Sequence, residues 1–235
     1  MLEIQDLSVS YGAVNALNSV TITAQPGAIT AILGANGAGK TTLLRSISGL
    51  VKPRSGSIRF RGEELIGRTV ETIARRGVAH VPEGRGIIEV LTVEDNLRLA
   101  TLWCLGRHER QGAIEAIFEL FPRLSGFSRR HASTLSGGER QMLVIGRAFI
   151  SRPKLLLLDE PSLGLAPLVT AQLMELLRNH TDGTDLTVVL VEQNARSALS
   201  VSVDAVVLNL GEVVVSDTAA AVAADSGLRH HYLGF

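Results

Sequence analysis

The arrangement of apolar residues along the chain predicts two kinds of β-strand. In Val20–Ala24 the apolar residues alternate with threonines, as in a strand that buries one face. Leu155–Leu158 is an unbroken run of leucines, which favours a strand buried on both faces, as in a parallel sheet. The predicted strands are Leu2–Tyr11, Val20–Ala24, Ala28–Leu33, Ser57–Phe60, Lys154–Asp159, Leu186–Val191 and Ala205–Leu210.

Helical patterns lie between these strands. In Arg110–Phe121 the apolar residues recur at helical spacing and form one stripe. Thr92 and Ser136 each precede an acidic residue by three positions and are expected to cap helices. The predicted helices are Thr41–Leu50, Thr92–Trp103, Arg110–Phe121, Ser136–Ile150, Pro167–His180 and Asn194–Ser200.

The order of strands and helices indicates an α/β fold built on a parallel sheet with right-handed crossovers. Residues 83–153 interrupt the alternation with sequence that is mostly helical and rich in charge. We therefore expect one domain over residues 1–235, with a core formed by residues 1–82 and 154–235. Residues 83–153 are expected to form an inserted helical lobe.

Composition and charge narrow the class of protein. Hydrophobic residues make up 46% of the 235 residues, enough for a substantial buried core. Lys plus Arg and Asp plus Glu both number 23, so the net charge is zero and no nucleic-acid partner is expected. No apolar run approaches the roughly 18 residues of a membrane span, and the single cysteine, Cys104, excludes an internal disulfide. We expect a cytoplasmic protein with no direct membrane insertion.

A glycine-rich loop follows the predicted strand Ala28–Leu33. Residues 34–41 read Gly-Ala-Asn-Gly-Ala-Gly-Lys-Thr, the phosphate-binding pattern G-x-x-x-x-G-K-[ST]. The glycines let backbone N–H groups surround a polyphosphate, while Lys40 supplies charge and the Thr41 hydroxyl can ligate Mg²⁺. The expected nucleotide-binding residues are Gly34, Asn36, Gly37, Ala38, Gly39, Lys40, Thr41 and Thr42. The loop alone leaves a plain glycine turn, kinases, GTPases and many ATPases open.

Two adjacent carboxylates end the leucine-rich strand. Ligands of a parallel sheet bind beyond the carboxyl ends of its strands, so Asp159 and Glu160 are expected to lie beside the phosphate-binding loop. Asp159 can hold Mg²⁺ through water, and Glu160 can orient and polarise the attacking water. The alternative is a strand that merely ends at the surface in charged residues.

The segment Leu135–Gln141 predicts a second anion site. Ser136 and Glu139 form the capping box S-x-x-E at the start of a helix. A capped, glycine-rich helix N-terminus presents free N–H groups to an anion. The residues expected there are Ser136, Gly137, Gly138 and Glu139. Because the chain already has one phosphate site, we expect this second one to close over the ATP of a partner subunit.

With these three motifs the sequence resembles the ATP-binding-cassette (ABC) ATPases. Gly34–Thr41, Leu135–Gln141 and Leu155–Glu160 occur in the family's order and at family-like spacings. The resemblance implies a P-loop NTPase core, an N-terminal antiparallel β subdomain and an inserted α-helical lobe. It also implies ATP hydrolysis with Mg²⁺, a head-to-tail pair with a second ABC ATPase subunit, and two membrane-spanning permease subunits. Tyr11 lies where the family stacks an aromatic on adenine, and Ser162–Leu165 matches the loop that crosses the dimer interface.

A closer resemblance is to one of the two ATPase subunits of branched-chain amino acid importers. The segments that carry it are Val81–Arg85, Leu91–Leu97, Pro161–Pro167, Val191–Asn194 and Tyr232–Gly234. It implies a heterodimer in the transporter, on the cytoplasmic face of the membrane, and leaves a homodimer of the isolated chain open. It also implies that Glu83–Leu97 forms the groove that receives a permease helix.

Two residues depart from the general family pattern. Glu83 stands where the family has a glutamine, and Gln193 stands where a histidine senses the γ-phosphate. A carboxylate near a triphosphate is repelled unless a cation lies between, so Glu83 is expected to reach Mg²⁺ or its waters. Gln193 keeps an NH₂ donor but never carries a positive charge, which predicts a weaker γ-phosphate sensor.

Several other functions fit the sequence less well, and one group of substrates stays open. An exporter ATPase is disfavoured by Pro82–Arg85 and Glu192–Asn194. A non-transport cassette protein usually has long coiled coils or two cassettes, for which the chain is too short. A nucleotide kinase has no need of Leu135–Gln141. Importers of amides, urea or other small molecules stay open, because selectivity belongs to other subunits.

Overall fold

The computed structural model describes residues 1–84 and 86–228 and contains two sheets with helices around them. The strands are β1 (Leu2–Tyr11), β2 (Val14–Ala24), β3 (Ile29–Leu33), β4 (Ser55–Phe60), β5 (Glu63–Glu64), β6 (Val78–Val81), β7 (Leu155–Asp159), β8 (Thr187–Val191), β9 (Asp204–Asn209) and β10 (Glu212–Thr218). The helices are α1 (Lys40–Ile47), α2 (Val70–Arg75), α3 (Val93–Thr101), α4 (Arg110–Leu120), α5 (Pro122–Ser125), α6 (Gly137–Ile150), α7 (Pro167–Thr181), α8 (Ala195–Leu199), α9 (Ala219–Ala224) and α10 (Ser226–Leu228). Arg85 and Tyr232–Gly234, which contributed to the closer resemblance, lie outside the described residues.

The larger sheet has the strand order β10-β9-β3-β8-β7-β6. Its strands β9, β3, β8, β7 and β6 run parallel, and every residue of β3, β7 and β8 is buried. Continuous apolar runs are what burial on both faces requires. The predicted parallel core of an α/β fold is therefore confirmed.

One strand of this sheet differs from the prediction. Strand β10 runs antiparallel to β9, which makes the sheet mixed. Leu210 and Gly211 join the two strands and have φ values of 48° and 83°. A two-residue loop with positive φ at both positions turns the chain back into a neighbouring antiparallel strand. The predicted strand Ala205–Leu210 is thus followed by a hairpin partner that the apolar pattern does not indicate.

The smaller sheet has the order β2-β1-β4-β5, and all of its pairs are antiparallel. It confirms the N-terminal antiparallel β subdomain that the family resemblance implies. Strand β2 begins at Val14, earlier than the predicted start at Val20, because its first half pairs with β1 although it lacks apolar alternation. The short elements β5, α2 and β6 are also absent from the sequence prediction.

Two hydrophobic clusters cover opposite faces of the larger sheet. Ala31 and Leu33 belong to the cluster that also contains residues of α3, α4, α6 and α7. Ile32 belongs to the cluster that contains α1 and the smaller sheet. The helices of the predicted lobe therefore pack on one face of the sheet, while its limits at residues 83 and 153 stay predictions. None of the helices in the described ranges is long and apolar enough to cross a membrane.

Candidate active site

The phosphate-binding loop lies between β3 and α1, where the sequence places it. Gly34, Gly37 and Gly39 have φ values of 147°, 82° and 105°, which favour glycine. A Cβ on Gly39 would also lie 2.7 Å from the carbonyl oxygen of Ala16 in β2. Gly39 is the N-cap of α1 and makes no side-chain capping bond. The N-terminal amides of α1 can therefore be directed to an anion.

Lys40 holds the loop together from within. Its side chain is only 5% exposed, and Nζ donates to the carbonyl oxygens of Gly34 at 2.8 Å and Ala35 at 3.1 Å. The same Nζ lies 3.7 Å from Glu160 Oε1. One ammonium group thus connects the phosphate loop to the carboxylate predicted to activate water.

Thr41 and Asp159 form the second link between loop and sheet. Thr41 Oγ1 donates to Asp159 Oδ1 at 3.2 Å, and Asp159 is 2% exposed. Burial raises the pKa of Asp159, and the Glu160 and Glu83 carboxylates raise it further, while the bond from Thr41 lowers it. A cation placed here would relieve this cost, and hydroxyl and carboxylate oxygens are ligands that suit Mg²⁺.

The rest of a Mg²⁺ shell would have to come from phosphate and water. In the described ranges, no group of three or more His, Cys, Asp or Glu residues is arranged to hold a metal ion. Mg²⁺ commonly binds through one or two carboxylates together with substrate phosphates. Thr41 and Asp159 fit that pattern.

Glu160 lies at the start of the loop that follows β7. Its φ of 48° is in the left-handed region, which residues other than glycine rarely adopt. Its N–H donates to the carbonyl oxygen of Val191 at the end of β8, at 2.9 Å. This backbone shape leaves the carboxylate facing Lys40.

One cavity of about 380 Å³ brings most of the predicted residues together. Its lining residues are Ala16, Asn36, Gly37, Gly39, Lys40, Thr41, Thr42, Glu83, Glu160, Leu163 and Gln193. The two departures from the family pattern, Glu83 and Gln193, therefore share a cavity with Lys40. Of the other predicted residues, Gly34 accepts from Lys40, Ala38 is buried in the loop, and Asp159 lies behind Thr41.

Two predicted elements lie apart from this cavity. Tyr11, the last residue of β1, is 47% exposed and does not line it. Ser136 and Glu139 form the predicted capping box at the start of α6, with Ser136 N–H donating to Glu139 Oε2 at 2.8 Å. Gly138 of this helix lines a different, apolar cavity of about 270 Å³.

Sequence reasoning missed two residues of the site region. Ala16 contributes through its backbone, which only the pairing of β2 brings to the phosphate loop. Glu192 follows β8 directly and is 2% exposed. An acidic residue directly after the apolar run Val188–Val191 is the sequence signal that identifies it.

A separate groove of about 550 Å³ runs between β6, α3 and α6. Leu99, Leu102 and Trp103 line it and are exposed, and Arg147 lies in its wall. Arg147 Nε is buried and has no hydrogen-bond partner among the described residues. Of the predicted groove segment Glu83–Leu97, only Gly86 lines it among the residues described, so the groove lies mainly outside that segment.

A glycine loop that carries lysine and threonine, facing an Asp–Glu pair at the end of a parallel sheet, defines the class of P-loop nucleotide hydrolases. The family model described as "ABC transporter" matches residues 17–163. The chain therefore belongs to the ABC transporter family, as the sequence motifs predict, and it is an ATPase whose hydrolysis is coupled to transport.

Individual relatives agree with this placement. The chain is 46% identical over all 235 residues, and over the whole of the relative, to the high-affinity branched-chain amino acid transport ATP-binding protein BraG of Pseudomonas aeruginosa. It is 36% identical over 219 residues to the probable branched-chain amino acid transport ATP-binding protein LivF of Archaeoglobus fulgidus, covering 93% of this chain and 92% of that one. The dimeric post-hydrolysis structure of the ATP-binding cassette MJ0796 with ADP and Pi has the same fold, with a TM-score of 0.84 at 23% identity, covering 93% of this chain and 99% of that one.

Proposed function

We propose that the chain is the ATP-hydrolysing subunit of an importer of branched-chain amino acids. The observation that carries the ATPase part is the convergence of Lys40, Glu160 and the Thr41–Asp159 pair at one edge of the sheet. BraG supports the substrate, because its name states branched-chain amino acid transport and its similarity extends over both complete chains.

The predicted residues that line the cavity, together with Asp159, would share the work of binding and hydrolysing ATP. The phosphates of ATP lie along Gly34–Thr42, where Lys40 exchanges carbonyl oxygens for phosphate oxygens. When bound, Mg²⁺ would offset the charge of the β- and γ-phosphates, and Thr41 and Asp159 would hold it. Glu160 orients and polarises the attacking water. Gln193 would donate to the γ-phosphate, and Glu83 would reach Mg²⁺ or its waters when the ion is bound.

The position of α6 supports a two-subunit site. Ser136–Glu139 lie outside the cavity that contains Lys40, so the N-terminus of α6 is available to a nucleotide held by another subunit. Two subunits related by a two-fold or pseudo-two-fold axis would each supply half of two such sites. Tyr11, exposed at the end of β1, would meet adenine. In the transporter the partner would be the second ATPase subunit.

The groove between β6, α3 and α6 is the proposed docking site for the permease subunits. Its exposed Leu99, Leu102 and Trp103 offer an apolar surface to a helix. Arg147, partly exposed in the wall of the groove, would offer its guanidinium group to an acceptor on that helix. This docking would hold the chain at the cytoplasmic face of the membrane.

Reconstitution tests the whole proposal. The chain, its paralogous ATPase and the two permeases are placed in liposomes with a binding protein, and uptake of labelled leucine is measured with and without MgATP. We expect ATP-dependent uptake that is lost when Glu160→Gln is introduced into this chain and its counterpart. Uptake of an amide or urea but not leucine, or ATP-driven efflux, would contradict the proposed substrate or direction.

A further inference from the structure

Glu192 is a buried carboxylate to which the mechanism above gives no role. It is 2% exposed at the end of β8, and its Oε1 accepts a hydrogen bond from the backbone N–H of Ser162 at 2.9 Å. Burial raises the pKa of Glu192, and the neighbouring Glu160 raises it further, while the bond from Ser162 lowers it. A buried carboxylate lowers the stability of the fold unless it is well hydrogen-bonded. Its presence at this position therefore points to a role for the hydrogen bond to Ser162.

The loop that Glu192 holds includes the strained backbone of Glu160. Glu160 has a φ of 48°, and such conformations persist only where the surroundings over-determine them. Two hydrogen bonds attach this loop to the end of β8. Glu160 N–H donates to Val191 O at 2.9 Å, and Ser162 N–H donates to the Glu192 side chain.

These two hydrogen bonds together restrain the position of Glu160. The first fixes the amide of Glu160 itself, and the second fixes the chain two residues later. The carboxylate of Glu160 is thereby kept 3.7 Å from Lys40 Nζ. Gln193 follows Glu192 directly and lines the phosphate cavity, so the same short segment also carries the proposed γ-phosphate sensor.

We propose that Glu192 is a positioning residue for ATP hydrolysis, which holds the loop 160–162 so that Glu160 faces the attacking water. The inference rests on the proposed role of Glu160. Glu192 does not touch the nucleotide in this proposal. Its loss should therefore lower kcat and leave the binding of ATP almost unchanged.

The matched variants are Glu192→Gln and Glu192→Met. They have similar length and no charge, but only glutamine keeps an oxygen that can accept from Ser162 N–H. We expect Glu192→Gln to retain kcat within about threefold, since the hydrogen bond from Ser162 N–H is preserved. Glu192→Met should lose about 10- to 100-fold in kcat with KM for ATP little changed, because a misplaced reacting group costs that much. Glu175→Ala, on the exposed face of α7, serves as the control.

Amide hydrogen exchange provides a second readout that is independent of turnover. Exchange in a peptide covering residues 160–166 should be faster in Glu192→Met than in Glu192→Gln, which should match the parent protein. Equal kcat in the two variants, or equal exchange, would overturn the inference. Turnover is measured with the paralogous ATPase subunit and the permeases present. Assembled parent protein that hydrolyses ATP keeps the proposed function intact in that case, whereas assembled parent protein without turnover would reject the function itself.

Discussion

At the scale of single residues, the nucleotide site combines one buried cation with several carboxylates that repel one another. Lys40 is shared between the phosphate loop and Glu160. Burial raises the pKa of Asp159, and the nearby carboxylates of Glu160 and Glu83 raise it further. A site of this kind is suited to a ligand that brings its own divalent cation. These carboxylates should lower the free energy of unfolding of the nucleotide-free protein, and this effect can be measured directly.

Asp159→Asn should stabilise the nucleotide-free protein at neutral pH. The pKa of Asp159 is raised in the folded protein by burial. Between the ordinary pKa of an aspartate, about 4, and this higher folded-state pKa, the unfolded chain releases its proton more readily than the folded one. The free energy of unfolding therefore falls as the pH rises through this window. Asparagine removes this cost and can still accept from Thr41. Urea unfolding should give a higher midpoint for the variant than for the parent protein at pH 7.5. The difference between the two midpoints should become smaller as the pH is lowered. Asp182→Asn, at an exposed ion pair, is the control, and a variant less stable at pH 7.5 would contradict the argument.

Lys40→Ala and Glu160→Gln should separate binding from chemistry. Removing the Lys40 ammonium takes a charge away from the phosphates, so ATP turnover should be abolished. Glu160→Gln keeps the shape of the side chain but cannot polarise water, and turnover should fall by about 10²-fold or more. Phosphate release and binding of a fluorescent ATP analogue measure the two effects. Turnover near the parent rate in Glu160→Gln would exclude Glu160 as the base.

Gln193→His and Glu83→Gln test the two departures from the family pattern. Both residues line the cavity that contains Lys40. A charge-assisted hydrogen bond is roughly twice as strong as a neutral one, so Gln193→His should raise the hydrolysis rate of the assembled transporter. Glu83→Gln should raise the Mg²⁺ concentration needed for half-maximal activity. Unchanged rates and unchanged Mg²⁺ dependence in the single and double variants would show that both departures are neutral.

At the scale of elements, the N-terminus of helix α6 is both a structural cap and part of the proposed nucleotide site. Ser136 and Thr92 are both N-caps whose hydroxyls accept from the amide three residues later, at the starts of α6 and α3. Replacing either by alanine should cost about 1 kcal/mol of stability. Only Ser136→Ala should also weaken ATP-dependent pairing of subunits. Calorimetry and light scattering on the two variants make the comparison, and an equal loss of pairing in Thr92→Ala would remove the special role of α6.

The elements also show how far the sequence alone reaches. Strands β3, β7 and β8 are predictable because burial on both faces leaves an unbroken apolar run. Strand β10 and the first half of β2 are not, because a hairpin turn and cross-strand hydrogen bonds define them instead. Lys40, Thr41, Asp159 and Glu160 follow from motifs with fixed spacing. Glu192 does not, because its role depends on the backbone conformation of a loop far away in sequence.

At the scale of the whole molecule, the larger sheet connects the two proposed interfaces. One face carries α1 and the smaller sheet, and the other carries the helices from α3 to α7. The phosphate loop and Ser136–Glu139 therefore belong to parts of the chain that pack on opposite faces. When two subunits close over ATP, the phosphate loop of one and Ser136–Glu139 of the other would contact the same nucleotide. ATP binding would thereby be transmitted to the groove between β6, α3 and α6.

The most direct test is the mass of Glu160→Gln in solution, measured by light scattering with and without MgATP. The variant should keep its nucleotide, so we predict a monomer without MgATP and a dimer with it, either alone or with the paralogous ATPase subunit added. Lys40→Ala should stay monomeric under the same conditions. A strict monomer of Glu160→Gln at high concentration, even with MgATP and the paralogous subunit present, would contradict the shared nucleotide site.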